Sequence, residues 1–333
     1  MNSFGRLFRI SLFGESHGNS VGVTIDGCPA GLQLKESDFD TDLSRRKTGS
    51  KGTSPRIEAD LPRIMSGVFN DHTTGSPITV IFENTNTRFK DYERLRETPR
   101  PGHADYVASK KFGGFEDFRG GGHFSGRLTL ALVTAGVIAK KLISPLEVSA
   151  KLIEAGGSDD IEKVITKATE EQDSIGGIVE LIATGIPAGL GEPFFDSVES
   201  IISHIVFSIP AIKAIEFGSG FQAAKMKGSE HNDNFVSLDG KTETNHAGGV
   251  NGGITNGNDL IFRVAVKPTS SIALAQKTMN MKSGDMSELK IEGRHDLCIA
   301  LRVPVILEAA IAIVLADLLM LEQKIPRIRR KVE

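Results

Sequence analysis

Two stretches of this 333-residue chain, residues 128–143 (LTLALVTAGVIAKKLI) and 305–321, carry apolar side chains on nearly every side. In the first, Leu128, Leu130, Leu132, Val133, Val137 and Ile138 leave no wide polar face before Lys140. A helix that is hydrophobic all round has to be buried all round. The simplest arrangement puts the strand-like segments outside as sheets, with the helices between them, as expected of layered domains. The second stretch contains Glu308 and Asp317 and is shorter than the roughly 20 residues needed to cross a bilayer. It therefore predicts a core helix and no membrane association. The N-terminal MNSFGRLFRISLFGESHG lacks the apolar core of a secretory signal.

One local pattern occurs twice. Gly27-Cys28-Pro29-Ala30-Gly31-Leu32 returns as Gly185-Ile186-Pro187-Ala188-Gly189-Leu190, each time after a β-type run and before an acidic, helix-starting stretch. Glycine-turned hairpins follow in both cases, SGVFNDHTTGSPITVIFEN and GGITNGNDLIFRVAVKP. The shared order, ending each time in a long apolar helix, predicts an internal duplication, with pseudo-halves of about 1–150 and 151–333. The length suggests about two domains, against which one domain spanning 1–333 is what the family resemblance set out below implies. The expected fold class is α+β: a layered β-α-β sandwich, buried helices between two mainly antiparallel sheets.

Composition narrows the function. Acids outnumber bases 42 to 39, giving −3, and there are two Tyr and no Trp. A nucleic-acid binder is expected to be basic and to offer aromatic stacking surface, so no nucleic-acid partner is expected. The two cysteines, Cys28 and Cys298, match no metal or redox spacing. They point to a reducing, cytoplasmic setting and to no metal site. Glycine is in excess, 36 of 333 residues against about 7% on average. The surplus is expected in turns and where backbone approaches a ligand. The Gly-, Asn- and Asp-rich stretch 218–258 is long and aperiodic, which in a compact protein is a mark of function or mobility.

Four segments concentrate Gly, His and Arg. Phe13-Gly14-Glu15-Ser16-His17-Gly18 presents a histidine in a glycine-flanked turn, suited to proton transfer; such a histidine alone is more often a hydrogen-bonded turn residue. Arg45, Arg46, Lys47, Lys51 and Arg56 interleave with Gly49, Gly52, Thr53 and Ser54. Arginine forks grip carboxylate and phosphate, so a polyanionic metabolite competes with a solvated charged loop as the explanation. Arg100-Pro101-Gly102-His103-Ala104-Asp105 precedes Arg119-Gly120-Gly121-Gly122-His123-Phe124-Ser125-Gly126-Arg127. Three glycines before a buried helix predict backbone N–H groups facing an anion, although neither a Walker loop nor a dinucleotide fingerprint is present. Lys267-Pro268-Thr269-Ser270-Ser271 reads as a strand end with phosphate donors, and Arg294-His295-Asp296 joins a cation, a titratable ring and a carboxylate.

Residues alone thus predict an enzyme handling a phosphorylated, carboxylated metabolite with His and Asp as proton carriers. Taken together, FGESHG, DLSRRK, SGVFNDHTTGSPI, ENTNTR, RPGHAD, RGGGHFSGR, NHAGGVNGGI, KPTSS and GRHD resemble the chorismate synthase family, in the family's order from Phe13 to Asp296. The resemblance implies a lyase of the shikimate pathway and aromatic amino acid biosynthesis. It would convert 5-enolpyruvylshikimate 3-phosphate to chorismate and phosphate by an anti 1,4-elimination, with reduced FMN donating and recovering an electron. By similarity His17 protonates the leaving phosphate, His103 lies at the flavin N1/O2 edge, and Asp296, near N5, helps take the substrate's proton. Arg45, Arg46, Arg100, Arg127 and Arg294 are the implied substrate cations. The implied FMN contacts are His123, Phe124, Ser125, Pro210, Ala211, Gly252, Lys267, Pro268, Thr269, Ser270, Ser271 and Arg294. Arg46 and Lys51 are candidates for NADP. A homotetramer is implied, and flavin reduction either by the chain's own use of NADPH or by an external flavin reductase.

The chain departs from the family at two places. Many members have Arg at the position of His123, which bears on the FMN contact, and some have Arg at those of Lys47 and Lys51, which bears on bidentate gripping. Two other readings compete. Another FMN-dependent enzyme on a phosphorylated or carboxylated metabolite, such as an NAD(P)H-dependent reductase, would consume hydride. A non-catalytic anion binder would have little need of His17, His103 and Asp296 together.

Overall fold

Strands whose every second side chain is apolar cover a core with one face and meet solvent with the other, and this chain builds two such sheets. The computed structural model describes residues 1–47, 49, 52–53, 59–85, 93–291 and 295–329; Lys51, Ser54, Arg56 and Arg294 lie outside the described residues. The first half runs β1 (Ser3–Phe4), β2 (Arg9–Gly14), β3 (Ser20–Asp26), α1 (Asp40–Arg46) and β4 (Arg63–Ser66). It continues with β5 (Val68–Phe69), β6 (His72–Thr73), β7 (Ile78–Glu83), α2 (Glu93–Glu97), α3 (Asp105–Phe112) and α4 (Thr129–Ile143). The second half runs β8 (Glu147–Ala155), α5 (Ile161–Glu171), β9 (Gly177–Thr184), α6 (Val198–Val206), β10 (Ile212–Phe217) and α7 (Gly228–His231). It ends with β11 (Val250–Asn251), β12 (Ile254–Thr255), β13 (Leu260–Val266), β14 (Gln276–Met279), β15 (Met286–Leu289) and α8 (Val303–Leu321).

The first sheet has the order β1-β2-β3-β7-β4 and the second β8-β9-β13-β10, with antiparallel neighbours throughout. Apart from β1, the orders correspond strand for strand. Both edge strands β4 and β10 also carry a register shift, at Ile64/Ser66 and Ile212/Ala214. The repeated hexapeptides sit in matching hydrogen-bonded latches. Thr73 donates through Oγ1 to the Pro29 carbonyl (2.6 Å) and accepts from the Leu32 amide (2.9 Å). Thr255 does the same with Pro187 (2.7 Å) and Leu190 (2.9 Å). Gly31 and Gly189, in the left-handed region at φ 88° and 97°, donate to the carbonyls of Thr73 and Thr255.

Helices α4 and α8 pack on each other between the sheets, α4 against β3 and α8 against β8 and β9. Contact is close enough that a Cβ added to Gly136 would lie 2.2 Å from that of Ala309. Helix α8 with its preceding 3-10 turn spans Ile299–Leu321, long and apolar enough to cross a membrane. At 23 residues it is longer than the 17 of residues 305–321 expected from the sequence, and not too short to span a bilayer. What defines the helix is that 89% of its apolar window is buried inside the protein.

The two acids of α8 are buried and bonded. Asp317 accepts backbone amides from Arg6, Leu7 and Phe8 at 2.7–2.9 Å, anchoring the chain between β1 and β2. Glu308 takes a two-pronged bond from Arg45 (2.7 Å each) and one from Lys140 (2.8 Å). Burial opposes its ionisation, but Arg45 and Lys140 outweigh it and hold the carboxyl below the usual carboxylate range.

Candidate active site

The loops that enter α4 and α8 open onto one cavity of about 1540 Å³. Each half supplies part of its wall, and the parts are hydrogen-bonded to each other. Arg100 donates to Ser271 Oγ (3.1 Å), Ser270 Oγ donates to the Gly102 carbonyl (2.7 Å), and Arg302 Nε donates to the Arg46 carbonyl (3.0 Å). Among the described residues, seven Lys and Arg side chains line the cavity against two carboxylates, Asp60 and Asp296. A chain that is acidic overall has therefore built a cationic pocket.

His17 follows β2 and is 4% exposed. Its loop is tied to the glycine run by Ser16 N–H donating to the Gly122 carbonyl (3.0 Å). Gly120, Gly121 and Gly122 all have positive φ, at 59°, 82° and 53°. The reason lies in packing: a Cβ at Gly120 would sit 2.2 Å from His17 Cε1, and one at Gly121 3.2 Å from His103 Cε1. Gly120 and Gly121 thus make room for the two imidazoles, while Gly122 makes room for the Asp117 carbonyl. The Gly121 amide points to the Phe118 carbonyl.

His103 Nδ1 lies 2.6 Å from Asp105 Oδ1, so that nitrogen carries the proton. Arg100 grips the same carboxylate through Nε (2.7 Å) and Nη2 (2.8 Å). Burial opposes the charge on Asp105, but bonds from Arg100 and His103 outweigh it, leaving the carboxyl well below the usual range. Arg46 (3% exposed) donates to Thr129 Oγ1 (3.0 Å) and the Gly126 carbonyl (3.1 Å), and Arg127 donates to Asp60 (2.8 Å). Asp296 pairs with Arg302 at 3.1 Å.

The remaining wall holds His123, Phe124 and Ser125, Pro210 and Ala211, and Lys267, Pro268, Thr269, Ser270 and Ser271. His123 Nδ1 donates to the Gly14 carbonyl (3.0 Å), and its Nε2 lies 3.1 Å from the Asn2 side chain. Ala211 has φ 75°, a left-handed backbone rare for a residue with a side chain. Lys267 donates to Ser270 Oγ (2.7 Å); burial, aided by Lys213, lowers its ammonium below the ordinary lysine value.

Two expected site residues are elsewhere. Arg45 does not line the cavity. Neighbouring helix positions point about 100° apart, so Arg46 faces the cavity while Arg45 faces Glu308. Gly252 sits in the β11–β12 turn, away from the cavity wall. Arg294 and Lys51 lie outside the described residues. Conversely, the sequence reading missed Asp60, Arg302 and the role of Asp105. Asp105, within RPGHAD, was within reach as a partner for Arg100 and His103; Asp60 belongs to no motif and meets its arginines only through the fold.

The profile of the family described as Chorismate synthase matches residues 8–320. The chain belongs to the chorismate synthase family. A chorismate synthase of Chitinophaga pinensis is 66% identical over 329 residues, covering 98% of this chain and 99% of that protein. One of Korarchaeum cryptofilum is 46% identical, covering 95% and 97%. A crystal structure of a chorismate synthase matches with a TM-score of 0.74 at 26% identity, covering 96% of this chain and 93% of that one. The family fold is thus the layered α+β arrangement described above.

Proposed function

We propose that this cavity is where the chain converts 5-enolpyruvylshikimate 3-phosphate to chorismate, the carbon–oxygen lyase step that closes the shikimate pathway. The observation that carries the reading is the convergence of loops from both halves, with His17, His103 and Asp296, on one cationic cavity. Single-ligand pockets commonly measure about 300–1,000 Å³; about 1540 Å³ leaves room for a flavin and a substrate together. The donor set fits both: apolar wall from Leu128, Leu132 and Ile209 for a ring system, and Lys, Arg and hydroxyl groups for phosphate and carboxylate.

His123, Phe124, Ser125, Pro210, Ala211 and the Lys267–Ser271 segment would hold reduced FMN, with Gly252 left out. When bound, reduced FMN supplies transient electron density that helps expel phosphate and is returned, so no net oxidation occurs. Arg46, Arg100 and Arg127 bind the anionic groups. The ring C–O bond breaks with its electron pair going to phosphate, and His17 donates a proton to that oxygen. Asp296 accepts the proton lost from the other ring carbon; the C–H pair forms one double bond while the ring double bond already present shifts to the carbon that phosphate left, giving two. Exchange with solvent then resets both groups.

A homotetramer, delivery of reduced flavin by an external reductase or from NADPH near Arg46, and a cytoplasmic setting belong to the same proposal. The buried thiols of Cys28 and Cys298 support the last. The test is an anaerobic assay with photoreduced FMN. Chorismate and phosphate in equal amounts, with no NAD(P)H consumed per turnover, are expected; stoichiometric hydride consumption would point to a reductase instead.

A further inference from the structure

Asp105 is wedged between an imidazole and a guanidinium. Its Oδ1 lies 2.6 Å from His103 Nδ1 and accepts from Arg100 Nη2 (2.8 Å). Its Oδ2 accepts from Arg100 Nε (2.7 Å) and from the Arg100 backbone N–H (3.1 Å). The guanidinium is also held from the other half of the chain, Nη1 donating to Ser271 Oγ (3.1 Å). The side chains of Asp105 and Arg100 are 12% and 6% exposed, so little water competes for these bonds. A carboxylate beside one ring nitrogen keeps the proton there and leaves the other nitrogen bare. The ring is also confined at Cε1 by Gly121, where a Cβ would lie 3.2 Å away.

We propose that Asp105 is a positioning residue. It holds neutral His103 as the Nδ1–H tautomer, so that Nε2 meets the cavity as a proton acceptor. A ring with its proton on Nε2 could only donate there. The proposal deepens the proposed function and rests on it for what Nε2 meets.

Asp105→Asn tests this, because the network dictates how the amide sits. An amide nitrogen in place of Oδ2 would face two N–H groups of Arg100, neither of which can turn acceptor. In place of Oδ1 it faces Arg100 Nη2 and His103 Nδ1, and the imidazole can give up its proton. A bare Nδ1 would also accept from Arg100 Nη2, 3.1 Å away. The amide oxygen therefore takes the Oδ2 place, and His103 changes to the Nε2–H tautomer.

Solid-state NMR of the full chain with nitrogen-labelled histidine reads the tautomers, the His103 signals being those lost in His103→Phe. With the rings neutral, the unsubstituted chain should show Nδ1–H and Asp105→Asn should show Nε2–H. With reduced FMN and the enolpyruvyl substrate, Asp105→Asn should lower kcat about 10²-fold, the low end for a misplaced acid–base group, with KM little changed. An Asp105 of structural importance only would lower stability and leave the tautomer alone. Nδ1–H retained in Asp105→Asn, or an unchanged kcat despite the new tautomer, overturns the proposal. If Asp105→Asn does not fold, the unsubstituted chain decides: Nδ1–H supports the proposal and Nε2–H overturns it. The tautomers are read without flavin or substrate. Tautomers as described in a chain that converted no substrate would overturn the proposed reaction and leave the assignment to Asp105 standing.

Discussion

The two halves of the chain share a strand order, a threonine latch and a buried helix, and differ most in the loops that lead into those helices. Ahead of α4 come the histidines and arginines of residues 100–127; ahead of α8 come KPTSS, the β14–β15 hairpin and Asp296. The sheets share a strand order while the loops ahead of their helices differ, and both loops reach the same cavity. The helices differ too: α8 carries two buried acids, while the middle of α4 is apolar apart from Thr134, which bonds to its own Leu130 carbonyl.

Substitutions can break or sharpen that contrast. The largest effect is expected in the first-half loop. Gly120→Ala places a methyl group against His17 at a positive φ and should lower kcat by about 10²–10⁴, as loss of a placed general acid does. Steady-state rates alongside thermal unfolding would check this; a large fall in stability with the rate preserved would give Gly120 a scaffold role instead. Next is the asymmetry of the helices. Glu308→Ala leaves Arg45 and Lys140 with Asp42, which also bonds both, and should cost about 1.5–3 kcal/mol in urea unfolding, the scale of lost hydrogen bonds to a charged group, since both cations keep a partner.

The latches test the symmetry itself. Thr73→Val and Thr255→Val each remove a buried hydroxyl that donates to one backbone group and accepts from another. Each should cost about 1–3 kcal/mol, and by similar amounts; a cost in only one half would mean that the halves share shape but not load. The smallest effect concerns pH. The carboxyl of Asp105 lies below its unfolded value, so its stabilising contribution is complete above about pH 4 and fades as pH falls toward the folded value. Asp105→Asn should flatten that acid limb of the stability curve, leaving the slope above pH 5 unchanged.

The scaffold was legible because its signals are local. A Pro-Ala-Gly turn with a left-handed glycine, and helices apolar on all sides, each dictate their surroundings. The amphipathic helix α5 and the β14–β15 hairpin escaped notice because both are short elements on the outside of a pattern dominated by the core. Site residues were legible where glycine marked close approach, as at His17 and His103. Others were not legible where their placement rests on distant partners: Arg45 turns to Glu308, 263 positions away, and Asp60 meets Arg46 and Arg127 through the fold. No local pattern could have separated Arg45 from Arg46, because adjacent arginines on a helix look alike until the fold decides which face meets which partner.

His17 and His103 come from the same half and line one cavity, and the proposed function gives them different work there. Anaerobic stopped-flow of His17→Ala and His103→Ala, with reduced FMN and the enolpyruvyl substrate, tests this in one measurement. The expected result is that His17→Ala slows phosphate release by about 10²–10⁴ with substrate binding little changed, while His103→Ala alters the spectrum of the bound flavin. Phosphate release at the unsubstituted rate in both variants, with the flavin spectrum unmoved, would contradict it.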